Sequence, residues 1–87
     1  MAYRLEFTEA AEHELVALPR DILSRVNARI VALSDRPRPR GSELLQGSRS
    51  LRRLRVGVYR VIYQVDDTEH AVTIARIRHR RDVYRGP

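Results

Sequence analysis

Two alternating runs of residues, joined by a single glycine, constrain the fold of this chain more than any other feature. Residues 51–56 read LRRLRV and residues 58–65 read VYRVIYQV, with Gly57 between them. Apolar residues at every second position indicate strands with one buried face. Because the connection is so short, the two strands must pair antiparallel. We expect a third strand over residues 71–77, after a turn at residues 66–69.

The first part of the chain changes from strand periodicity to helical periodicity. Apolar and polar side chains alternate over residues 2–7, which predicts an opening strand. Helical spacing of apolar residues then predicts a first helix capped by Thr8 and a second helix over about residues 20–34. Pro19 separates them, and so short a connection makes the helices antiparallel. The segment DRPRPRG, residues 35–41, predicts an extended, solvated connector.

The predicted order is strand, helix, helix, strand, strand, strand and a short basic tail. This order indicates one α+β domain over residues 1–87, with two antiparallel helices packed on one face of a largely antiparallel sheet. The polar stretch at residues 42–50 is predicted to lack regular structure, and the place of the first strand in the sheet stays open. The N-terminus has no secretory signal pattern and no apolar run suits a membrane span, so we expect a cytoplasmic protein.

Positive charge is concentrated in the second part of the chain. All 17 basic residues are arginines, against 11 acidic residues. Residues 1–35 carry four arginines and six acids, for a net charge of −2, whereas residues 36–87 carry 13 arginines and five acids, for +8. Clustered arginines are typical of phosphate-binding surfaces, so we expect nucleic acid or a comparably acidic partner. Codon bias would explain the choice of arginine over lysine, but not this segregation.

Arginines of the predicted hairpin fall on one face of the sheet. If Leu54 and Val56 face the helices, alternation sends Arg53 and Arg55 to the opposite face with Leu51, and Arg60 joins them from the next strand. Three guanidiniums then form a shallow platform suited to bidentate phosphate contacts, with Arg80 arriving from the tail. The alternative is an ordinary solvated strand face. Arg52 falls on the inward side, and its role stays open.

The tail contributes the other candidate site residues. Tyr84 either stacks on an unpaired base or anchors the tail to the body of the domain. His79 precedes Arg80 and is a candidate acid or base, with a structural role as the alternative. Three scattered histidines without cysteine lack the spacing of a zinc site, and no glycine-rich phosphate loop is present, so neither a metal nor a cofactor is expected.

The block LRRLRVGVYRVIYQV, followed by AVTIARI and RHRRDVYR, resembles the RelE branch of the RelE/ParE toxin superfamily of bacterial type II toxin–antitoxin modules. The resemblance extends to the opening YRLEFTEAAEHEL and covers nearly the whole chain. It implies a ribosome-dependent endoribonuclease that cleaves mRNA when a 2′-hydroxyl attacks the adjacent phosphodiester. It also implies a cognate antitoxin, the ribosome and mRNA as partners, operator DNA through the antitoxin complex, and no membrane.

The same resemblance assigns catalytic positions to five residues, in chain order Arg53, Arg55, Arg60, Arg80 and Tyr84. Many relatives have lysine at the first two positions, and an arginine cannot act as a general base at neutral pH. The proton acceptor is then Tyr84 or His79. Alternatively, the rate comes from stabilisation of the pentavalent phosphate by Arg60 and Arg80.

Two other functions stay open on this resemblance. Members of the ParE branch inhibit DNA gyrase by binding it and cut no RNA. Tyr84 together with Arg80 favours the nuclease, because the gyrase branch does not generally rely on that pair. An inactive relative that serves only as a DNA-binding co-repressor with its antitoxin would use the same arginines for phosphate contacts.

Overall fold

The computed structural model describes residues 2–83, with side chains described as far as Arg81. Within that range three helices and five strands follow the predicted order, with one strand added. In chain order they are β1 (Arg4–Phe7), α1 (Glu9–Val16), α2 (Arg20–Ala32), β2 (Ser42–Leu44), β3 (Leu51–Val56), β4 (Tyr59–Asp66), β5 (Ala71–His79) and α3 (Arg80–Val83). The additional strand is β2, which lies in the stretch predicted to lack regular structure.

The five strands form one sheet in the order β1-β5-β4-β3-β2. The three predicted neighbours β3, β4 and β5 pair antiparallel, and β2 pairs antiparallel with β3 at one edge. The first strand, whose position the sequence left open, pairs parallel with β5 at the other edge. Helices α1 and α2 connect β1 at one edge of the sheet to β2 at the other edge.

The hydrophobic core lies between the helices and one face of the sheet. Alternation in β3 is confirmed, because Leu54 and Val56 are buried in this core while Arg53 and Arg55 point away from it. The core residues with no exposed surface include Val26, Ile30, Leu33, Leu54, Val61, Tyr63, Val72 and Ile74. Full burial of such side chains contributes about 1.5–3 kcal/mol each before conformational entropy is counted. We call the face opposite α1 and α2 the open face.

Thr8 caps α1 as predicted. Its hydroxyl oxygen accepts a hydrogen bond from the backbone N–H of Ala11 at 3.1 Å. The same hydroxyl donates to the carbonyl oxygen of Ala75 in β5 at 2.7 Å. Thr8 therefore begins the helix and also attaches it to the sheet.

The connector at residues 35–41 is largely exposed, as predicted, but it is also attached to the rest of the domain by hydrogen bonds. The buried Tyr63 hydroxyl donates to the carbonyl oxygen of Pro37 at 2.7 Å. Arg38 forms an ion pair with Asp67 at 2.8 Å, and the Tyr3 hydroxyl donates to the same carboxylate at 2.6 Å. Hydrogen bonds from Arg38 and Tyr3 hold the pKa of the Asp67 carboxyl below its usual range.

A β-bulge changes which residues of β5 face the core. Ile62 of β4 pairs with Arg76, but its neighbour Tyr63 pairs with Ile74, so Ala75 has no counterpart. The extra residue shifts the alternation by one position. Ile74 and Ile77 are both buried in the core as a result. No helix within residues 2–83 is long and apolar enough to cross a lipid bilayer.

Candidate functional site

Three arginines form a row across the open face, next to the β3–β4 turn. Arg60 of β4 lies directly opposite Arg55 of β3 on one side and Arg78 of β5 on the other. We call Arg55, Arg60 and Arg78 the arginine row. Directly opposed residues have Cβ atoms about 4.5–5.5 Å apart, and like charges in such positions destabilise a sheet. The arrangement therefore favours binding of an anion over a purely structural role.

Arg60 is the buried member of this row. It is only 7% exposed, whereas the sequence predicted an open platform. Its Nη1 donates to the carbonyl oxygens of Gly57 at 3.1 Å and Tyr59 at 3.0 Å, which fixes the guanidinium. Its Nε is buried and has no hydrogen-bond partner among the described residues. A buried donor without an acceptor costs free energy.

No carboxylate forms an ion pair with the arginine row in the part of the chain whose side chains the structure describes. The next two arginines along the open face, Arg53 and Arg76, each form an ion pair with a carboxylate. Arg53 pairs with Glu43 and Arg76 pairs with Glu14. The uncompensated positive charge is therefore concentrated at the end of the sheet that carries the β3–β4 turn.

The predicted site residue Arg53 is partly enclosed by β2. Its guanidinium forms a short ion pair with Glu43, which lies directly opposite it on that strand. The Arg53 side chain is 21% exposed and the Glu43 side chain 61%. The hydrogen bond from Arg53 and the charges of Arg53 and Arg55 hold the pKa of Glu43 below its usual value. A groove of about 270 Å³, which we call the β2–β3 groove, is lined by Gly41, Ser42, Glu43, Arg53 and Arg55.

The β3–β4 turn holds arginines from three different elements. Gly57 adopts φ +60°, a conformation that residues with a side chain rarely adopt, and its carbonyl oxygen accepts from Arg60. A Cβ atom at Gly57 would lie 3.4 Å from Nη2 of Arg25, which reaches the turn from α2. The backbone N–H of Arg80 donates to the carbonyl oxygen of Val58 at 2.6 Å. The turn thus holds the backbone of the exposed Arg80 in place.

His79, the candidate acid or base, lies on the other face of the sheet. It pairs with Tyr59, and the two rings meet edge to face with centroids 5.4 Å apart. Both residues follow the alternation of Val61 and Ile77, which point into the core. Nδ1 of His79 accepts from the backbone N–H of Arg81 at 3.3 Å. The structure therefore does not bring His79 together with the arginine row. Tyr84, the remaining predicted residue, lies outside the described residues.

Arg78 is a site residue that the sequence prediction missed. The predicted strand ended at residue 77, and strict alternation from Ile74 would have turned Arg78 toward the core. A signal was present in the sequence, because Ile74 and Ile77 are three residues apart instead of two. That spacing indicates a bulge, and a bulge at this point directs Arg78 to the open face.

Glu14 holds the bulged end of β5 in place. β1 pairs with β5 only as far as Ile74, so the edge of β5 beyond it lacks a neighbouring strand. The Glu14 carboxylate accepts from the backbone N–H of Ile77 at 2.7 Å and from Arg76 at 2.8 Å. Burial raises the pKa of Glu14, but the hydrogen bonds from Arg76 and Ile77 outweigh burial and lower it below its usual value.

Arg52, whose role the sequence left open, attaches the edge strand to β3. Its Nη2 donates to the hydroxyl of Ser42 at 3.2 Å and to the carbonyl oxygen of the same residue at 3.4 Å. Its position opposite Tyr63 places it on the core side of the sheet. Arg52 therefore takes no part in the arginine row, and it supports the strand that carries Glu43.

The sequence of this chain is similar to those of toxins from toxin–antitoxin systems. Residues 5–84 match the family model described as the ParE toxin of type II toxin–antitoxin systems, parDE. The chain is 39% identical to Toxin RelG of Mycobacterium tuberculosis over 89 residues, covering 98% of this chain and 99% of that protein.

Solved structures of toxin–antitoxin complexes share the fold. The RelBE2 complex of Mycobacterium tuberculosis matches with a TM-score of 0.80 and 32% identity, over 91% of this chain and 92% of that one. The archaeal RelE–RelB complex of Pyrococcus horikoshii OT3 matches with a TM-score of 0.80 and 29% identity, over 92% and 97%. The intact RelBE complex of E. coli matches with a TM-score of 0.78 and 26% identity, over 87% and 94%.

Proposed function

The chain belongs to the family of ParE toxins of type II toxin–antitoxin systems, as its sequence predicted, and we propose that it is a ribosome-dependent mRNA endoribonuclease acting in the cytoplasm. The observation that carries the proposal is the arginine row. Three adjacent guanidiniums that form no ion pair with a described carboxylate suit the charge of a phosphodiester under attack. The similarity to RelE proteins supports the same assignment.

The proposed reaction is attack of the 2′-hydroxyl of one nucleotide on the phosphorus that follows it. The O2′–P bond forms and the P–O5′ bond breaks, which leaves a cyclic 2′,3′-phosphate and a free 5′-hydroxyl. Negative charge grows on the non-bridging oxygens as phosphorus becomes pentavalent. Arg60 is already fixed by two carbonyl oxygens, so it would stabilise that charge with little reorganisation. Arg55 and Arg78 flank it, and the family resemblance assigns a further cation to Arg80.

Two protons must move in this reaction, one away from the 2′-hydroxyl and one onto the leaving 5′-oxygen. Arginine cannot accept a proton near neutral pH. On the strength of the family resemblance, we assign removal of the 2′-hydroxyl proton to Tyr84, and the leaving 5′-oxygen takes its proton from water. An unperturbed tyrosine has a pKa of about 10, and nearby positive charge lowers it. His79 lies across the sheet from the row, so the proposal gives it no proton-transfer role.

The first test is a brief pulse of expression in a bacterial host that carries a reporter mRNA with or without its start codon. Mapping of 5′ ends should find cuts only in the translated reporter. A double variant, Arg80→Ala with Tyr84→Ala, should abolish them. Arg49→Ala, which removes an exposed arginine from the loop between β2 and β3, is the matched control and should cut like the parent. Cuts that persist in the double variant would contradict the proposed roles of these two residues.

A second candidate is inhibition of DNA gyrase without cleavage of RNA. It is supported by the family model, whose description names the ParE toxin. In the same experiment this function would appear as growth arrest with intact mRNA. Purified protein should then inhibit DNA supercoiling by gyrase, which the nuclease would leave unaffected.

We also propose that a cognate antitoxin neutralises this toxin. The similar solved structures include toxin–antitoxin complexes, and the net charge of +8 over residues 36–87 suits a partner segment with acidic residues. Co-expression with the product of the neighbouring small gene should relieve toxicity, and the two proteins should co-purify. The purified complex should then be tested for binding to its own operator DNA.

A further inference from the structure

Glu43 places a carboxylate on the open face beside the proposed RNA-binding site. Its contact with Arg53 is a direct cross-strand pair between β2 and β3. Arg53 lies two residues from Arg55 on the same face, or roughly 6.6 Å along the strand. An RNA strand with one phosphate on the arginine row would therefore bring a neighbouring phosphate to the β2–β3 groove, where Glu43 lies.

The Glu43 carboxylate is held much less firmly than the carboxylate of Glu14, which pairs with Arg76 on the same face. Glu14 accepts from a backbone N–H as well as from Arg76, and its side chain is only 23% exposed. Within the described part of the chain, Arg53 is the only group that hydrogen-bonds to the Glu43 side chain, which is 61% exposed. Another anion can replace Glu43 without disturbing the backbone.

We propose that Glu43 is an intramolecular competitor of RNA, whose carboxylate occupies the guanidinium of Arg53 until an RNA phosphate adjacent to the scissile one displaces it into solvent. This inference rests on the proposed function, and it assigns the β2–β3 groove to that second phosphate. The exchange substitutes one anion for another on the same guanidinium, so no bond of the protein backbone is lost.

The expected effect of this competition is modest. Exposed ion pairs are worth little in water, so removal of the Glu43 charge should tighten RNA binding about three- to fivefold. The dependence of binding on salt should stay the same. Each phosphate that a single strand contacts contributes about 0.7 to the slope of log affinity against log salt. Arg53 contacts the same RNA phosphate in the variant and, once Glu43 is displaced, in the parent, so the number of contacts does not change.

The test compares Glu43→Gln with Glu6→Gln as a matched control. Both substitutions remove one exposed carboxylate from an ion pair on the open face, but Glu6 pairs with Arg4 at the opposite edge of the sheet. The probe is a single-stranded 2′-O-methyl oligonucleotide, which lacks the 2′-hydroxyl nucleophile and cannot be cut. Affinity of the full chain is measured by fluorescence anisotropy at several salt concentrations.

The proposal predicts that Glu43→Gln binds three- to fivefold more tightly than the parent, with an unchanged salt slope, and that Glu6→Gln changes affinity less than twofold. In an Arg53→Gln background the effect of Glu43→Gln should disappear. Equal gains from both glutamate variants, or no gain from Glu43→Gln, would overturn the competitor role. Weaker binding would overturn it as well, because Glu43 would then position Arg53 for RNA. A protein that gives the predicted affinities but leaves reporter mRNA intact would contradict only the nuclease.

Discussion

Arg60 on β4 lies directly opposite Arg78 on β5, although the two residues are 18 positions apart in the chain. Arg60 is buried and its guanidinium is fixed by carbonyl oxygens of the β3–β4 turn. Arg78 reaches the same face only because β5 contains a bulge. Two like charges facing each other across strands oppose folding. Their juxtaposition makes this pair the centre of the proposed phosphate site.

The first prediction concerns Arg78. Arg78→Gln should reduce mRNA cleavage about 100-fold, the loss typical of removing one group that stabilises transition-state charge. The free energy of unfolding should stay the same or rise, because repulsion between Arg78 and Arg60 is relieved. Cleavage of a reporter and thermal unfolding are measured together, with Arg49→Gln as the control for loss of one exposed arginine. A variant that retains full cleavage would remove Arg78 from the site.

A second prediction separates charge from geometry at Arg60. Arg60→Lys keeps the positive charge but loses the planar guanidinium that contacts Gly57 and Tyr59 together. Cleavage should fall at least tenfold. Arg55→Lys, at an exposed position of the same row, should lower cleavage less. Equal losses in the two variants would show that the fixed orientation of Arg60 does not matter.

The third prediction is a pH-dependent loss of stability in Glu14→Ala. Without the carboxylate the N–H of Ile77 loses its acceptor, so at neutral pH the free energy of unfolding should fall by about 1–3 kcal/mol. The folded-state pKa of Glu14 is lowered, so its stabilisation is present above the unfolded pKa and is lost as the pH falls through the folded pKa. Urea unfolding at several pH values should show the parent and variant converging in acid.

The matched control for this experiment is Glu12→Ala on the same helix. Glu12 is exposed in the first turn of α1, where a carboxylate interacts with the helix dipole. Its replacement should cost less than about 1 kcal/mol. If Glu12→Ala and Glu14→Ala destabilise the protein equally, the contact with Ile77 is not the source of the effect.

A fourth prediction tests attachment of the connector at residues 35–41. Tyr63→Phe removes the hydroxyl that donates to the Pro37 carbonyl oxygen and leaves that acceptor unpaired. The free energy of unfolding should fall by about 1–2 kcal/mol, and backbone amides of the connector should exchange hydrogen faster. Tyr59→Phe removes a hydroxyl from a less buried tyrosine of the same strand and is the control. Unchanged exchange in the connector would contradict the attachment.

Most of the fold could be predicted because it follows from the spacing of apolar, polar and capping residues along the chain. Alternation over β3 and β4 identified the hairpin, and Thr8 marked the start of α1. β2 was missed because Ser42–Leu44 has no alternating pattern, and its strand conformation depends on pairing with β3. The parallel pairing of β1 with β5 was also beyond reach, since it depends on how the helices cross the sheet.

The candidate site was predictable only where alternation is regular. The alternation of apolar and polar residues correctly placed Arg53, Arg55 and Arg60 on the open face. Burial of Arg60 depends on the turn that folds over it, and pairing of Arg53 depends on the unpredicted β2. Neither property belongs to a single strand, so neither could be inferred from one strand's sequence.

The unmatched Ala75 in β5 has a consequence for comparing this toxin with its relatives. The charge pattern of the open face depends on the number of residues between Ile74 and Ile77 as well as on which residues are arginine. A relative with every arginine retained but one residue fewer at this point would present a different set of side chains on the open face. Insertions and deletions in β5 therefore carry functional information that a tally of identical residues does not include.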